Sequence, residues 1–203
     1  MDGAAFVKGL AIGFAIAAPV GPIGILCIQR TLAYGRLSGL LTGLGAATAD
    51  AFYGGIAAFG LTALSGFLVS QSYPLKIVGG IFLFYLAIRM LISKSGEDAK
   101  AAHNDLVADY ASTVFLTLTN PVTILSFVAI FAGLGLGSTD YGFSSATHMV
   151  AGVFGGSVLW WIILSSGVSI VRHKVGPRTY KIINVGSALI ILTFSMLAFA
   201  SLS

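Results

Sequence analysis

The chain has 203 residues, of which 57% are hydrophobic and only 9% are charged. A soluble domain carries about 25% charged residues, so this composition excludes a water-soluble globular protein. Apolar stretches longer than about 18 residues are typical of membrane-spanning helices. The single cysteine excludes an internal disulfide. The sequence therefore predicts an integral membrane protein.

Charged and turn-forming clusters divide the chain into six apolar segments, which are 4–28, 38–62, 75–93, 111–136, 146–171 and 182–202. Each is long enough to cross a core of about 30 Å as a helix. We predict an all-α fold, because the segments lack the alternation of barrel strands and unpaired backbone groups are costly in lipid. We interpret the first segment as a retained span rather than a cleaved signal, since its apolar run continues past Pro19.

The first broken element is "PVGP", Pro19 to Pro22, within segment 1. Proline removes a backbone donor and frees carbonyl groups, which a membrane protein tolerates only against protein or a water-filled cavity. Segment 4 carries a similar break at Asn120–Pro121, where asparagine and proline are typical of a helix start. Both breaks lie about ten residues, or roughly 15 Å, from the predicted cytoplasmic ends.

We therefore predict that helices 1 and 4 are discontinuous and that their half-helix N-termini face one cavity. Such ends favour anions, including a substrate carboxylate. The predicted substrate-binding residues are Pro19, Gly21, Pro22, Asn120, Pro121 and Thr123. The alternative is that these prolines only kink packed helices.

Asp50 lies in segment 2 and is the only acidic residue that the sequence places well inside a span. A charge there costs at least about 2.5 kcal/mol on insertion scales, and burial favours the neutral carboxyl group. We predict that Asp50 carries a coupling proton or binds the ammonium group of a substrate. The alternative is a protonated Asp50 that only bonds a neighbouring helix.

Small residues recur every four positions along segment 2, at Gly35, Gly39, Gly43, Ala47, Ala51 and Gly55. This stripe permits close helix packing, either within the chain or across a homodimer. Thr48, Thr117, Thr119 and Ser126 are weaker candidates for the wall of a path. Trp160, Trp161 and Cys27 could line it too, although packing explains them equally well.

Segments 3 and 6 resemble each other, "YPLKIVGGIFLFYLAI" from Tyr73 and "TYKIINVGSALIILTF" from Thr179. Three helices per copy force the second copy to enter the membrane inverted, as in many secondary transporters. The predicted fold is one membrane domain, 1–203, made of two inverted three-helix repeats. The repeats are 1–93 and 111–203, and the polar connector between them is 94–110.

Lysine and arginine residues concentrate in and beside the loops that follow the odd-numbered segments. Nine lie there, namely Arg30, Arg36, Arg89, Lys94, Lys100, Arg172, Lys174, Arg178 and Lys181, against two, Lys8 and Lys76, on the other side. The positive-inside rule places these loops in the cytoplasm and both termini outside.

Together, the Pro-x-Gly-Pro break, "RTLAYGRLSGLLTGLGAATADAFYGGIAAFGL", "LKIVGG", the mid-chain "NP" and "KIINVGSALI" resemble the lysine exporter (LysE/RhtB) family of bacterial translocators. The resemblance covers essentially the whole chain. It implies a small inner-membrane exporter of amino acids or related compounds, driven by an ion gradient. The family's Gly-Pro motif corresponds to Gly21 and Pro22, and its acidic position in span 2 corresponds to Asp50.

The family's Asn-Pro corresponds to Asn120 and Pro121. Many members continue this motif with lysine, whereas this chain has Val122, which weakens any substrate inference from that position. Some members are linked to metal cations. The resemblance therefore leaves the substrate open.

The leading hypothesis is a secondary exporter of amino acids, with a small-molecule substrate, no cofactor and no nucleic-acid partner. A basic amino acid would suit a single cavity carboxylate, as would any α-amino group. The alternative is a divalent metal cation exporter of the cadmium type, which needs more converging ligands than Asp50 and Cys27. We predict no enzyme, because the sequence lacks H-E-x-x-H and G-x-S-x-G motifs, and the broken helices with Asp50 argue against a scaffold.

Overall fold

The computed structural model describes residues 2–19, 21–59, 71–92, 105–120, 123–124, 126–127 and 143–200. Seven helices are assigned within these ranges and no strand. They are α1 (Asp2–Ala17), α2 (Pro22–Tyr34), α3 (Arg36–Ala58), α4 (Ser72–Ile92), α5 (Leu106–Thr119), α6 (Phe143–Arg172) and α7 (Pro177–Ala200).

Three of these helices, α4, α6 and α7, are each long and apolar enough to cross a membrane. The pair α1 and α2 passes the same test as one broken span. Helix α3 has 23 residues, about 35 Å at 1.5 Å per residue, but it is richer in small and polar residues. The chain is thus a helical membrane protein. Most of the second half of predicted segment 4, after Asn120, lies outside the described residues.

The break between α1 and α2 is sharper than a proline kink, because the two helix axes differ by 78°. Gly21 is extended, with φ −109° and ψ −165°, and Pro22 occupies the first turn of α2. The Ile25 N–H donates to the Gly21 carbonyl at 3.1 Å, which begins a new helical ladder. Proline fits this position since the first N–H of a helix has no intrahelical acceptor.

Helix α2 continues to Tyr34, six residues beyond the predicted end of the first segment. Only Gly35 separates it from α3, and its φ of 105° is a conformation that other residues rarely adopt. Arg30, which the sequence analysis placed in a loop, therefore lies within a helix. Helix α5 likewise begins at Leu106, inside the stretch 94–110 that was predicted to be a connector.

Helices α1 and α6 cross in close contact through small residues on both sides. A Cβ atom on Gly9 or Gly13 would meet the backbone of α6, and one on Gly152 or Gly156 would meet the backbone of α1. Each pair is spaced four residues apart, which places both glycines on one helix face. This contact holds α1 against α6. After the break, α2 turns away from α1 and is buried in the interior.

Two positions of the small-residue stripe of α3 pack inside the chain. Gly39 lies against Thr31 and Ser165, and Gly43 lies against the Trp161 side chain. Among the described residues, these stripe positions are used for internal packing, so they supply no argument for a homodimer.

We predict that Gly156→Ala destabilises the fold, whereas Gly155→Ala does not. The added methyl of Gly156→Ala meets the α1 backbone near Leu10, while the same methyl at Gly155 meets nothing within 4 Å. Overpacking costs about 1–3 kcal/mol, and an unobstructed glycine-to-alanine change in a helix stabilises by up to ~1 kcal/mol. Thermal unfolding in detergent compares the two variants, and equal melting temperatures would contradict the close crossing.

Candidate functional site

A cavity of about 230 Å³ lies where α2 begins. Its wall comes from the end of α1, the first turn of α2, and parts of α3, α5, α6 and α7. The lining residues are Ile16, Ala17, Pro19, Gly21, Pro22, Ile23, Gly24, Ala46, Asp50, Thr117, Asn120, Thr123, Ser126, Trp161 and Phe194. Pockets for drug-sized ligands measure about 300–1,000 Å³, so this cavity suits a smaller solute.

The two helix breaks reach this cavity with the same backbone design. Asn120 is extended, with φ −81° and ψ 110°, and its carbonyl accepts from the Ile124 N–H at 3.3 Å. Gly21 does the same for Ile25. An extended residue whose carbonyl receives the first helical bond is an N-cap. After each break, a new stretch of helix therefore begins at the cavity.

The first N–H groups of each new helix lack intrahelical acceptors. In α2 these belong to Ile23 and Gly24, because Pro22 has none, and both residues line the cavity. Thr123 holds the corresponding place after the second break and lines it too. Helix N-termini carry partial positive charge. The cavity wall is therefore suited to a negatively charged group.

Asp50 reaches the cavity from the middle of α3 and is 3% exposed. The Ser157 hydroxyl donates to Asp50 Oδ2 at 2.6 Å, and the Trp161 indole N–H donates to Ser157 Oγ at 3.1 Å. Asp50 Oδ1 accepts no hydrogen bond from the residues that the structure describes. One carboxyl oxygen is thus fixed by α6 while the other remains available to a ligand or a proton.

The structure brings most of the sequence-predicted residues together around this cavity. Pro19, Gly21, Pro22, Asp50, Asn120 and Thr123 all line it, and Pro121 lies outside the described residues. Thr117 and Ser126, weaker candidates, also line it. Thr48 and Thr119 do not, and each donates to a carbonyl of its own helix.

The two neighbouring tryptophans have different surroundings. Trp161 lines the cavity, whereas Trp160 packs edge-on against Phe14 with ring centroids 5.5 Å apart. Cys27 lies away from the cavity wall, and its thiol donates to the Gly39 carbonyl at 3.4 Å. Sequence reasoning missed Ser157, since a serine in an apolar helix gives no signal of its partner.

A second polar cluster was also missed, two turns away along α2. Arg30 Nε lies 3.2 Å from Asp109 Oδ1 of α5, and the two residues are 8% and 1% exposed. Ser38 of α3 donates to Asp109 Oδ2. Arg30, Asp109 and Ser38 therefore join α2, α5 and α3 within the apolar interior. From the sequence, only Asp50 was predicted to be a buried charge.

These features define a multi-pass helical membrane protein with a mainly apolar cavity at two helix breaks, which Asp50 reaches. The chain belongs to the LysE type translocator family, which matches residues 14–201. This confirms the resemblance noted in the sequence. The family is one of membrane transporters rather than enzymes.

Two curated bacterial proteins are similar to the chain. The "Uncharacterized membrane protein YahN" of Escherichia coli (strain K12) is 32% identical over 156 residues, or 73% of this chain and 69% of that protein. The "Putative amino acid efflux protein YcgF" of Bacillus subtilis (strain 168) is 24% identical over 182 residues, or 87% of this chain and 86% of that protein. No solved structure matches the chain at a significant level.

We predict that Ser157→Ala destabilises the folded protein by about 1–3 kcal/mol, because it leaves the buried Asp50 carboxyl without its donor. Ser165→Ala is the matched control. Ser165 lies on the same helix and is equally buried, but its hydroxyl donates only to carbonyls of its own helix. We expect a smaller change for the control in detergent unfolding. Equal losses would mean that Ser157 does not support Asp50.

Proposed function

We propose that this protein is a secondary exporter of amino acids in the bacterial plasma membrane. The observation that carries the proposal is the meeting of two half-helix N-termini and one carboxyl group at a single cavity. An α-amino acid carries the two complementary charges on one small molecule. The name of the Bacillus subtilis relative, an amino acid efflux protein, supports the same substrate class.

In the proposed binding mode, the substrate carboxylate lies against the backbone N–H groups of Ile23, Gly24 and Thr123. Backbone donors aimed at an anion form charge-assisted hydrogen bonds, and the helix ends add favourable potential. Pro19, Gly21, Pro22 and Asn120 shape this wall by setting where each helix starts, and Pro121, which follows Asn120 in the sequence, stays a predicted binding residue. They act through the backbone, so they impose little choice among amino acid side chains.

Asp50 takes the ammonium group of the substrate or the coupling proton on its free oxygen, Oδ1. The two roles are mutually exclusive at one moment, since an ammonium group needs the ionised carboxylate. A proton that enters after the substrate leaves would neutralise Asp50 before the protein returns. This competition couples export to the proton gradient without a second acidic residue in the cavity.

The family resemblance and the repeated break design support six membrane-spanning helices arranged as two inverted repeats, 1–93 and 111–203, joined by 94–110. The basic residues around the ends of α2, α4 and α6 support a cytoplasmic position for that side, with both termini outside. A homodimer stays a prediction, and its interface would not use Gly39 and Gly43 of the α3 stripe, since both pack inside the chain.

The second candidate is export of a divalent metal cation of the cadmium type. Within the described ranges, no three His, Cys, Asp or Glu side chains converge, and metal sites draw on several such ligands. The half-helix N-termini at the cavity would also repel a cation. Both arguments favour the amino acid.

We predict that Asp50→Asn abolishes gradient-driven efflux, with a loss of at least tenfold. Asparagine keeps the size of the side chain and still accepts from Ser157, but it carries no proton and no charge. Liposomes loaded in turn with lysine, arginine, threonine, leucine and cadmium would receive an imposed pH gradient, and efflux would be followed. Asp105→Asn is the control, because Asp105 is an exposed N-cap of α5 and asparagine caps equally well.

Each arm of this experiment has a separate consequence. Efflux of an amino acid that is lost in Asp50→Asn and kept in Asp105→Asn supports both the substrate class and the role of Asp50. Efflux of cadmium alone would replace the proposal with the metal exporter. Amino acid efflux that survives in Asp50→Asn would leave the substrate class standing and remove Asp50 from the mechanism.

We also predict that a transported amino acid loses at least tenfold in apparent affinity when its carboxylate is converted to an amide. The amide keeps the ammonium group for Asp50 but cannot form charge-assisted bonds with the half-helix N–H groups, each of which is worth about 1.5–3 kcal/mol. Competition of the amide against labelled substrate measures the difference. An amide that competes as well as the acid would contradict the proposed carboxylate site.

A further inference from the structure

The buried pair of Arg30 and Asp109 is held by an extended hydrogen-bond network. Arg30 Nη1 lies 2.9 Å from the Asp109 carbonyl and 3.1 Å from the hydroxyls of Thr42 and Thr113. Arg30 Nη2 donates to Ser112 Oγ at 2.9 Å. Such pairs are weak evidence for stability, because well-packed apolar residues often replace them at no loss. A contribution to stability therefore does not explain why the pair is present here.

A small cavity of about 90 Å³ opens beside this pair, at the junction of α2, α4 and α5. Arg30 and Asp109 line it together with Gln29, Tyr34 and Arg89, of which Arg89 is exposed. Among the residues that the structure describes, the charges on its wall are two positive and one negative. This volume is large enough for the α-carbon, the ammonium group and the carboxylate of an amino acid, but not for a large side chain as well.

The small cavity and the central cavity follow each other along the same two helices. Asp109 lies eight residues before Thr117 on α5, and Arg30 lies six residues after Gly24 on α2, so the offset is about 9–12 Å on both helices. Leu26 and Leu116 fall between these positions and are buried in the apolar core. The offset points toward the end that carries Arg89 and Arg172, the predicted cytoplasmic side.

We propose that the Arg30–Asp109 pair is a second substrate site, an entrance that admits zwitterionic α-amino acids by exchange of ionic partners. This inference rests on the proposed function. The substrate carboxylate meets Arg89 at the mouth and then binds Arg30, while the substrate ammonium binds the Asp109 carboxylate. Each buried charge keeps an opposite partner throughout, and the direct link between α2 and α5 opens.

This exchange selects for both charges on one molecule. A molecule with only a carboxylate would release Asp109 as an unpaired buried charge, and one with only an ammonium group would release Arg30. Removing one partner of a buried pair is strongly destabilising. The entrance therefore rejects simple amines, simple acids and metal cations before they reach Asp50.

Uptake into everted membrane vesicles, whose cytoplasmic face is outward, tests this proposal. The double variant Arg30→Met with Asp109→Leu replaces the pair with apolar side chains, and Arg30→Lys keeps the positive partner. Ser165→Ala is the control for packing, because Ser165 is buried and its hydroxyl donates only to carbonyls of its own helix. We expect the apolar variant to lose at least tenfold in initial rate of amino acid uptake. Arg30→Lys should retain at least three times the rate of the apolar variant, and Ser165→Ala should stay near wild type.

The outcomes separate the entrance from the proposed function. If wild-type vesicles transport no amino acid, both the proposed function and the entrance are overturned. A wild type that transports, beside an apolar variant that loses less than tenfold, keeps the exporter and overturns the entrance. Arg30→Lys no better than the apolar variant overturns the entrance too, because the retained charge would not matter. Ser165→Ala as poor as the apolar variant also overturns it, because the loss would not be specific to the pair.

If the apolar variant does not accumulate as folded protein, wild-type vesicles supply the test. Labelled amino acid would compete with a tenfold excess of its methyl ester, which has only the ammonium group, and of its N-acetyl derivative, which has only the carboxylate. We expect neither to halve the uptake. Competition by either compound at the level of the unlabelled amino acid would overturn the proposal.

Discussion

Backbone groups that leave a helix inside a membrane need new partners, because lipid offers no hydrogen bonds. In this protein the constraint applies at two breaks, after Ala17 and after Thr119, and one cavity lies against both. A polar solute or water in that cavity can accept from the N–H groups that begin each new helix. The breaks, the cavity and the placement of Asp50 are therefore one arrangement. A fully apolar filling would leave those N–H groups unsatisfied.

Helix α2 connects this arrangement to the far side of the molecule. It has 13 residues, about 20 Å of helix, and it is bounded by Gly21 and Gly35. Its first turn lines the central cavity, and Arg30 lies near its other end. Arg172 of α6 donates to the carbonyls of Leu32 and Ala33, so the last turn is held as well. Both cavities are therefore lined by one short helix with a glycine at each end.

The sequence predicted those features that have a local chemical signal. Prolines inside an apolar segment and a lone carboxyl group well inside a span are unusual in lipid, and the structure places Pro22 and Asp50 at one cavity. Arg30 and Asp109 are also buried charged residues, but they lie near segment ends, where a charge resembles that of an ordinary loop residue. Their partnership joins positions 79 residues apart, and Ser157 and Trp161 are likewise assigned by helix packing. Pattern and periodicity do not contain that information.

On the proposed route, one helix serves the substrate carboxylate at both stations. At the entrance α2 offers the Arg30 guanidinium, and at the central cavity it offers the N–H groups of its first turn. The ammonium partner changes instead, from Asp109 on α5 to Asp50 on α3. The offset of about 9–12 Å exceeds the separation of the two charges within an α-amino acid, so one molecule occupies one station at a time. The proposed route keeps its carboxylate toward α2 at both stations, and the buried side chains of Leu26 and Leu116 separate them.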